Sequence, residues 1–172
     1  NLRPAVKRWR EGDYPGASDT TRELLHYWFG EEHLLEMKDG ERIPFQYFFC
    51  QREAIETFVY LYEVRALRTL SGITAEFLDK NAYSEENEAA YSAALGVHPE
   101  DDRWPKYAFK MATGSGKTKV MSMAIVWSYF HSLWEEGSSL AQDFLVIAPN
   151  ITVFERLKED FGDGKIFEKD PL

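Results

Sequence analysis

The stretch Gly114-Ser115-Gly116-Lys117-Thr118 constrains this chain more than any other, because it dictates what must lie on either side of it. Glycines on both sides of a serine let the backbone curl until several N–H groups face one concavity. A helix that starts at the lysine adds the positive end of its dipole. A lysine so placed reaches the β- and γ-phosphates of a nucleotide, and the hydroxyl of the following threonine ligates Mg²⁺. Thr113, Gly114, Ser115, Gly116, Lys117 and Thr118 are therefore the expected phosphate-binding set. Lys117 and Thr118 would serve the chemistry, and Thr118 would hold the metal, so the cofactors implied are ATP and Mg²⁺. The strict pattern has a glycine where Met111 stands. A flexible loop that touches nothing is the alternative. It would need neither a strand before it nor an amphipathic helix after it.

Both neighbours are legible. Tyr107 to Met111 reads as a short aromatic-apolar strand, and Lys117 to about Trp134 as a long helix with an apolar face. Gly137-Ser138-Ser139 marks a connection. Asp143 to Ala148 then reads as a buried strand and Thr152 to Phe161 as a second helix capped by Thr152. Alternating strand and helix implies a parallel sheet with right-handed crossovers.

Upstream, residues 1–20 are rich in turn formers, carry the basic-aromatic patch Lys7-Arg8-Trp9-Arg10, and read as an arm with little structure of its own. Ser18 or Asp19 can cap a helix bearing Leu24, Leu25, Trp28 and Phe29, with Gly30 as its break and a turn from Lys38 to Arg42. From Gln51 to about Leu70, the residues Ile55, Phe58, Val59, Tyr62, Ala66 and Leu70 form one helical stripe, ended by Ser71-Gly72. Residues 73–103, with Glu85-Glu86, Glu88 and Glu100-Asp101-Asp102, read as a short helix and an acidic loop.

Charge and cysteine usage narrow the setting. The net charge of −9 excludes a chain that holds nucleic acid by bulk electrostatics. The acidic excess lies away from the glycine loop: residues 1–105 carry 12 basic and 20 acidic side chains, residues 106–172 carry 8 and 9. One cysteine, Cys50, cannot make an internal disulfide and suits a reducing, cytoplasmic compartment; it reads as buried packing. The most apolar run, Val120 to Leu133, is broken by Ser122, Ser128, His131 and Ser132, so no membrane partner is expected. His26, His33, His98 and His131 are scattered and read as surface or helix residues.

Three islands resemble superfamily 2 (DEAD/DEAH-box-like) helicase motors, and within them the helicase subunit of type III restriction enzymes and related restriction endonucleases. Met111 to Thr118 looks like helicase motif I. Val146-Ile147-Ala148-Pro149-Asn150 running into Thr152-Val153-Phe154-Glu155-Arg156-Leu157 looks like motif Ia. Phe49-Cys50-Gln51-Arg52-Glu53-Ala54-Ile55-Glu56-Thr57 looks like the glutamine-bearing segment that precedes motif I. The resemblance implies an α/β fold, a partial RecA-like P-loop domain over 45–172 with its parallel sheet flanked by helices. A mostly helical region, an arm and helix over 1–44, would precede it. It divides the larger part into an adenine-segment helix 51–71, an acidic insertion 72–105, and a P-loop and motif Ia region 106–172.

The same resemblance gives roles. Gln51 would read the adenine edge, since a carboxamide matches N6 and N7; capping its own helix is the alternative. An aromatic from Phe45, Tyr47, Phe48 or Phe49 could stack on the base, although so dense a run is more often core. Pro149, Asn150 and Thr152 would touch a nucleic-acid backbone, DNA rather than RNA; a plain strand-to-helix turn is the alternative. Arg156 is a weaker candidate for the same track. Modification or nuclease subunits are further implied partners. The acidic Asp-Glu motif and second motor domain of such enzymes do not occur in these 172 residues, and Asp160, Asp163 and Asp170 do not supply the former. The expectation is the ATP-binding front part of a nucleic-acid-dependent ATPase, with little turnover of its own. A non-motor P-loop NTPase or kinase, or a non-catalytic interaction module, are the alternatives.

Overall fold

A computed structural model describes residues 2–37, 39–77 and 105–172. Two compact units emerge, one from residues 1–17 and 56–110, the other from 18–55 and 111–172. The division falls inside a single helix.

In the first unit, α1 (Leu2–Glu11) is a helix rather than an unstructured arm. Val6 and Trp9 lie a helical step apart and are both buried, so the patch Lys7-Arg8-Trp9-Arg10 has one face in a core. The opposing wall is the far part of α3 (Phe49–Val59) and the wide helical turn Tyr60–Val64 that continues it. The Trp9 ring meets Tyr14 edge-on at 4.9 Å and Tyr60 at 5.2 Å, and its indole N–H donates to the Pro15 carbonyl at 3.1 Å. Glu56 is 0% exposed and receives Arg10 Nε at 2.6 Å and the Tyr14 hydroxyl at 2.7 Å.

The helical stripe expected to run to Leu70 stops at Val64. Ala66 takes φ +50°, a left-handed conformation that ends a helix, before α4 (Leu70–Phe77) begins. Tyr107 to Met111 is not a strand, because a strand exists only by pairing and the one ladder among the described residues lies elsewhere. Tyr107 instead sets its ring 4.9 Å from Phe58 and donates to the Leu67 carbonyl at 2.8 Å. Most of the acidic stretch, including Glu85-Glu86, Glu88 and Glu100-Asp101-Asp102, lies outside the described residues.

In the second unit, α2 (Asp19–Gly30) starts as expected, with the Ser18 side chain accepting from Thr21 N. It buries Leu25 and Trp28 and packs on α5 (Lys117–Trp134), which buries Val120, Met123, Val126 and Trp127. Two hydrogen bonds fix that pair of helices: Trp127 Nε1 to Thr21 Oγ1 at 2.8 Å, and Thr20 N to Glu135 Oε1 at 2.9 Å.

Of the turn expected at 38–42, Lys38 lies outside the described residues; β1 (His33–Glu36) and β2 (Arg42–Phe45) on either side pair antiparallel, with His33 opposite Phe45. His33 is buried rather than superficial, its Nε2 2.7 Å from the Tyr27 carbonyl. Residues 143–148 form no strand: Leu145 is 86% and Ile147 80% exposed, and no neighbouring strand pairs with them among the described residues. Among the described residues there is therefore no parallel sheet. Then α6 (Ile151–Phe161) follows, and a tight turn at Gly162–Gly164 leads to α7 (Lys165–Lys169). No described helix is long and apolar enough to cross a membrane.

Candidate nucleotide site

The glycine loop has the conformation its sequence demands. Gly114 and Gly116 adopt φ +80° and +78°, values that only glycine takes without strain, and α5 begins at the very next residue, Lys117. At Gly116 the requirement is double, since a Cβ built there would overlap the Gln51 carboxamide. The curl is pinned by Ser115 N to Ala112 O at 3.3 Å and by Ser115 Oγ to the same carbonyl at 2.7 Å. Among the described residues, the amides of Gly116, Lys117 and Thr118 donate to no protein acceptor. They are the first-turn donors a helix leaves unsatisfied, at the positive end of its dipole.

Lys117 is exposed, and its ammonium donates to the carbonyls of Met111 at 3.0 Å and Ala112 at 2.9 Å. It folds back over the start of the loop. Those acceptors are neutral and exposed, so an anion offered at the loop competes for the ammonium on good terms. The residues present fit a phosphate chain: a concave backbone with uncommitted N–H groups, a cation that can swing, and a hydroxyl at Thr118 for a cation bound to that chain.

Gln51 joins this loop to α3. It is 4% exposed; its Oε1 accepts from Phe48 N at 2.7 Å and its Nε2 donates to Ser115 O at 3.1 Å. The first contact caps its own helix, the side chain of the third helical residue reaching back to the residue before the start. The second crosses to the glycine loop. The carboxamide keeps one N–H and one lone pair beyond these.

The aromatics around it divide. Tyr47 is core, Phe45 is half-buried with the Lys119 ammonium 5.1 Å from its ring centre, and Phe48 and Phe49 are exposed rather than core. Cys50 is exposed too, not buried, because it sits on the open side of the first turn of α3; its Sγ lies 4.0 Å from Ser115 O.

Pro149, Asn150 and Thr152 lie on one exposed turn. The cap of α6 is Asn150, whose Oδ1 accepts from Val153 N at 3.0 Å, and not Thr152, which stands inside the first turn with its side chain outward. A preceding residue with extended backbone is what a cap requires, and Asn150 at φ −155° and ψ 169° supplies it. Lys119 and Asp170 form an ion pair beside the loop, a contact between distant residues that no motif signals.

A family model described as "Type III restriction enzyme, res subunit" matches residues 46–170. The chain belongs to this family. The match takes in Gln51, the glycine loop, and the turn carrying Pro149, Asn150 and Thr152. Comparison with curated proteins and with solved structures gave no match. Members of the res-subunit family are helicase-like ATPases of the restriction-enzyme type, with a RecA-like P-loop fold, general use of ATP and Mg²⁺, and nucleic acid as the partner class.

Proposed function

We propose that this chain binds Mg·ATP through the Gly114 to Thr118 loop and serves as the ATP-binding front part of a DNA-dependent translocase of the restriction type. The observation that supports it most is the glycine loop: two left-handed glycines, uncommitted amides at Gly116, Lys117 and Thr118, and a helix start at Lys117. The N–H groups would cradle the phosphate chain, and the Lys117 ammonium would leave the Met111 and Ala112 carbonyls to meet the terminal phosphates. A Mg²⁺ ion held at the Thr118 hydroxyl would neutralise phosphate charge.

Gln51 has two tasks in this reading. It holds Ser115 in place, and its spare N–H and lone pair would serve a purine edge, with exposed Phe48 or Phe49 available to cover the base. At the other end of the domain, Thr152 and the first amides of α6 offer an exposed phosphate contact for a DNA strand, with Pro149 and Asn150 shaping the turn.

Isothermal calorimetry tests the nucleotide part. Mg·ATP is titrated into the chain and into its Lys117→Ala variant. The reading requires binding by the first and at least about a thirtyfold loss in the second, a loss in line with removing a charge-assisted phosphate contact. Equal heats in both, or no heat in either, contradict it. Fluorescence anisotropy with labelled DNA and RNA of one sequence tests the partner. DNA should bind more tightly, and Thr152→Ala should weaken binding without changing the ATP titration.

A further inference from the structure

Beside the last glycine of the loop opens a cleft of about 250 Å³. Gly116, Thr118 and Lys119 line it from the loop and the first turn of α5, Glu159 and Asp160 from the end of α6, and Lys165, Ile166, Lys169 and Asp170 from α7 and the residue after it. The Asp170 side chain is only 8% exposed; one oxygen pairs with the Lys119 ammonium, and the other is buried with no hydrogen-bond partner. A carboxylate oxygen buried without a donor is costly, so other contacts must hold the segment in place. Ile166 is buried, and the Tyr47 hydroxyl donates to the Pro171 carbonyl at 2.8 Å. Burial first, and the Asp170 charge second, push the Tyr47 phenol well above its ordinary pKa, so it remains an O–H donor throughout the neutral range.

We propose that residues 165–171 latch the phosphate cradle through a single carboxylate: Asp170, held by Lys119 and tied down through Tyr47, lowers the affinity of the loop for a polyanion until the segment swings away. The inference rests on the phosphate-binding reading of the loop and goes beyond it to its regulation. The electrostatic logic has two parts. A phosphate chain seated on the Gly116 to Thr118 amides meets the fixed Asp170 carboxylate across the same cleft, where Lys165 and Lys169 are matched in number by Glu159 and Asp160. The one cation on that wall of α5 that could favour it, Lys119, is already neutralised by the same carboxylate. Release of Asp170 removes a repulsion and restores an attraction together.

The test uses the 172-residue chain with Tyr47→Phe, Asp170→Asn and Lys117→Ala variants, each read by Mg·ATP calorimetry and by hydrogen exchange of the 166–170 amides. Unchanged protection in α2 and α5 shows that a variant keeps its fold. The latch requires both Asp170→Asn and Tyr47→Phe to speed exchange at 166–170 and to tighten ATP binding, by roughly five- to tenfold for Asp170→Asn at low salt. Faster exchange with unaltered or weaker ATP binding, while Lys117→Ala still abolishes it, overturns the latch and leaves the phosphate reading standing. Unaltered exchange in both variants also overturns it. Equal binding by the parent chain and Lys117→Ala means that the phosphate reading itself has failed, and the latch with it.

Discussion

At the scale of single residues, the site is a set of backbone conformations that particular side chains protect. Gly116→Ala would force a Cβ into the Gln51 carboxamide and a left-handed φ on a residue that resists it. We expect a loss of about 1–2 kcal/mol in urea denaturation and no measurable ATP binding. Gly114→Ala meets open space, so its cost is conformational alone and smaller. Gln51→Ala separates the two tasks of that side chain. Removing the Ser115 tie weakens every nucleoside triphosphate, whereas removing a base reader weakens ATP more than GTP. We expect roughly a tenfold loss for ATP, in line with about one neutral hydrogen bond, and a smaller one for GTP, by competition titration. Equal losses would confine Gln51 to holding the loop. The curl at Gly114 and Gly116 and the helix start at Lys117 were readable from the chain because their causes are local; the ion pair of Lys119 with Asp170 was not, since nothing in either neighbourhood points to the other.

At the scale of elements, local signals outperformed those that depend on neighbours. The Ser18 cap, the α2 stripe and the long α5 helix follow from caps and period alone. The strands expected at 107–111 and 143–148 did not form, because their apolar content says only that they want pairing, and a partner strand must supply it. The arm became α1 because Val6 and Trp9 find a core with Tyr14 and Tyr60, a long-range fact hidden behind turn-forming residues. Two predictions belong here. Arg10→Ala leaves Glu56 buried without its cation and should cost of order 3 kcal/mol, read as a fall in the urea midpoint; an unchanged midpoint would show that Glu56 relaxes to water. Asn150→Ala should cost about 1 kcal/mol and speed exchange at Val153, while Thr152→Ala does neither. The reverse ranking would restore Thr152 as the cap.

At the scale of the whole molecule, the family match runs over residues 46–170 and so takes in the Gln51 helix, the glycine loop and the turn before α6, which no single motif could establish. Stability should carry one pH signature that the structure makes specific. Hydrogen bonding from Thr20, then its backbone N–H, hold the Glu135 carboxyl below its ordinary pKa. A folded pKa below the unfolded one means the contribution is full above the unfolded carboxylate range and fades as pH falls through the folded value. Glu135→Gln should therefore lower the melting temperature at pH 7 and match the parent chain near pH 3 (about a unit below the ordinary carboxylate range). A constant gap at both pH values would assign the contact no charge dependence. The central claim, that the amides of Gly116, Lys117 and Thr118 receive a phosphate chain, is tested most directly by ¹H–¹⁵N NMR of the labelled chain during a Mg·ATP titration. The largest shifts should fall on those three amides and vanish in Lys117→Ala; shifts centred elsewhere, or none at saturating nucleotide, would contradict a phosphate site there.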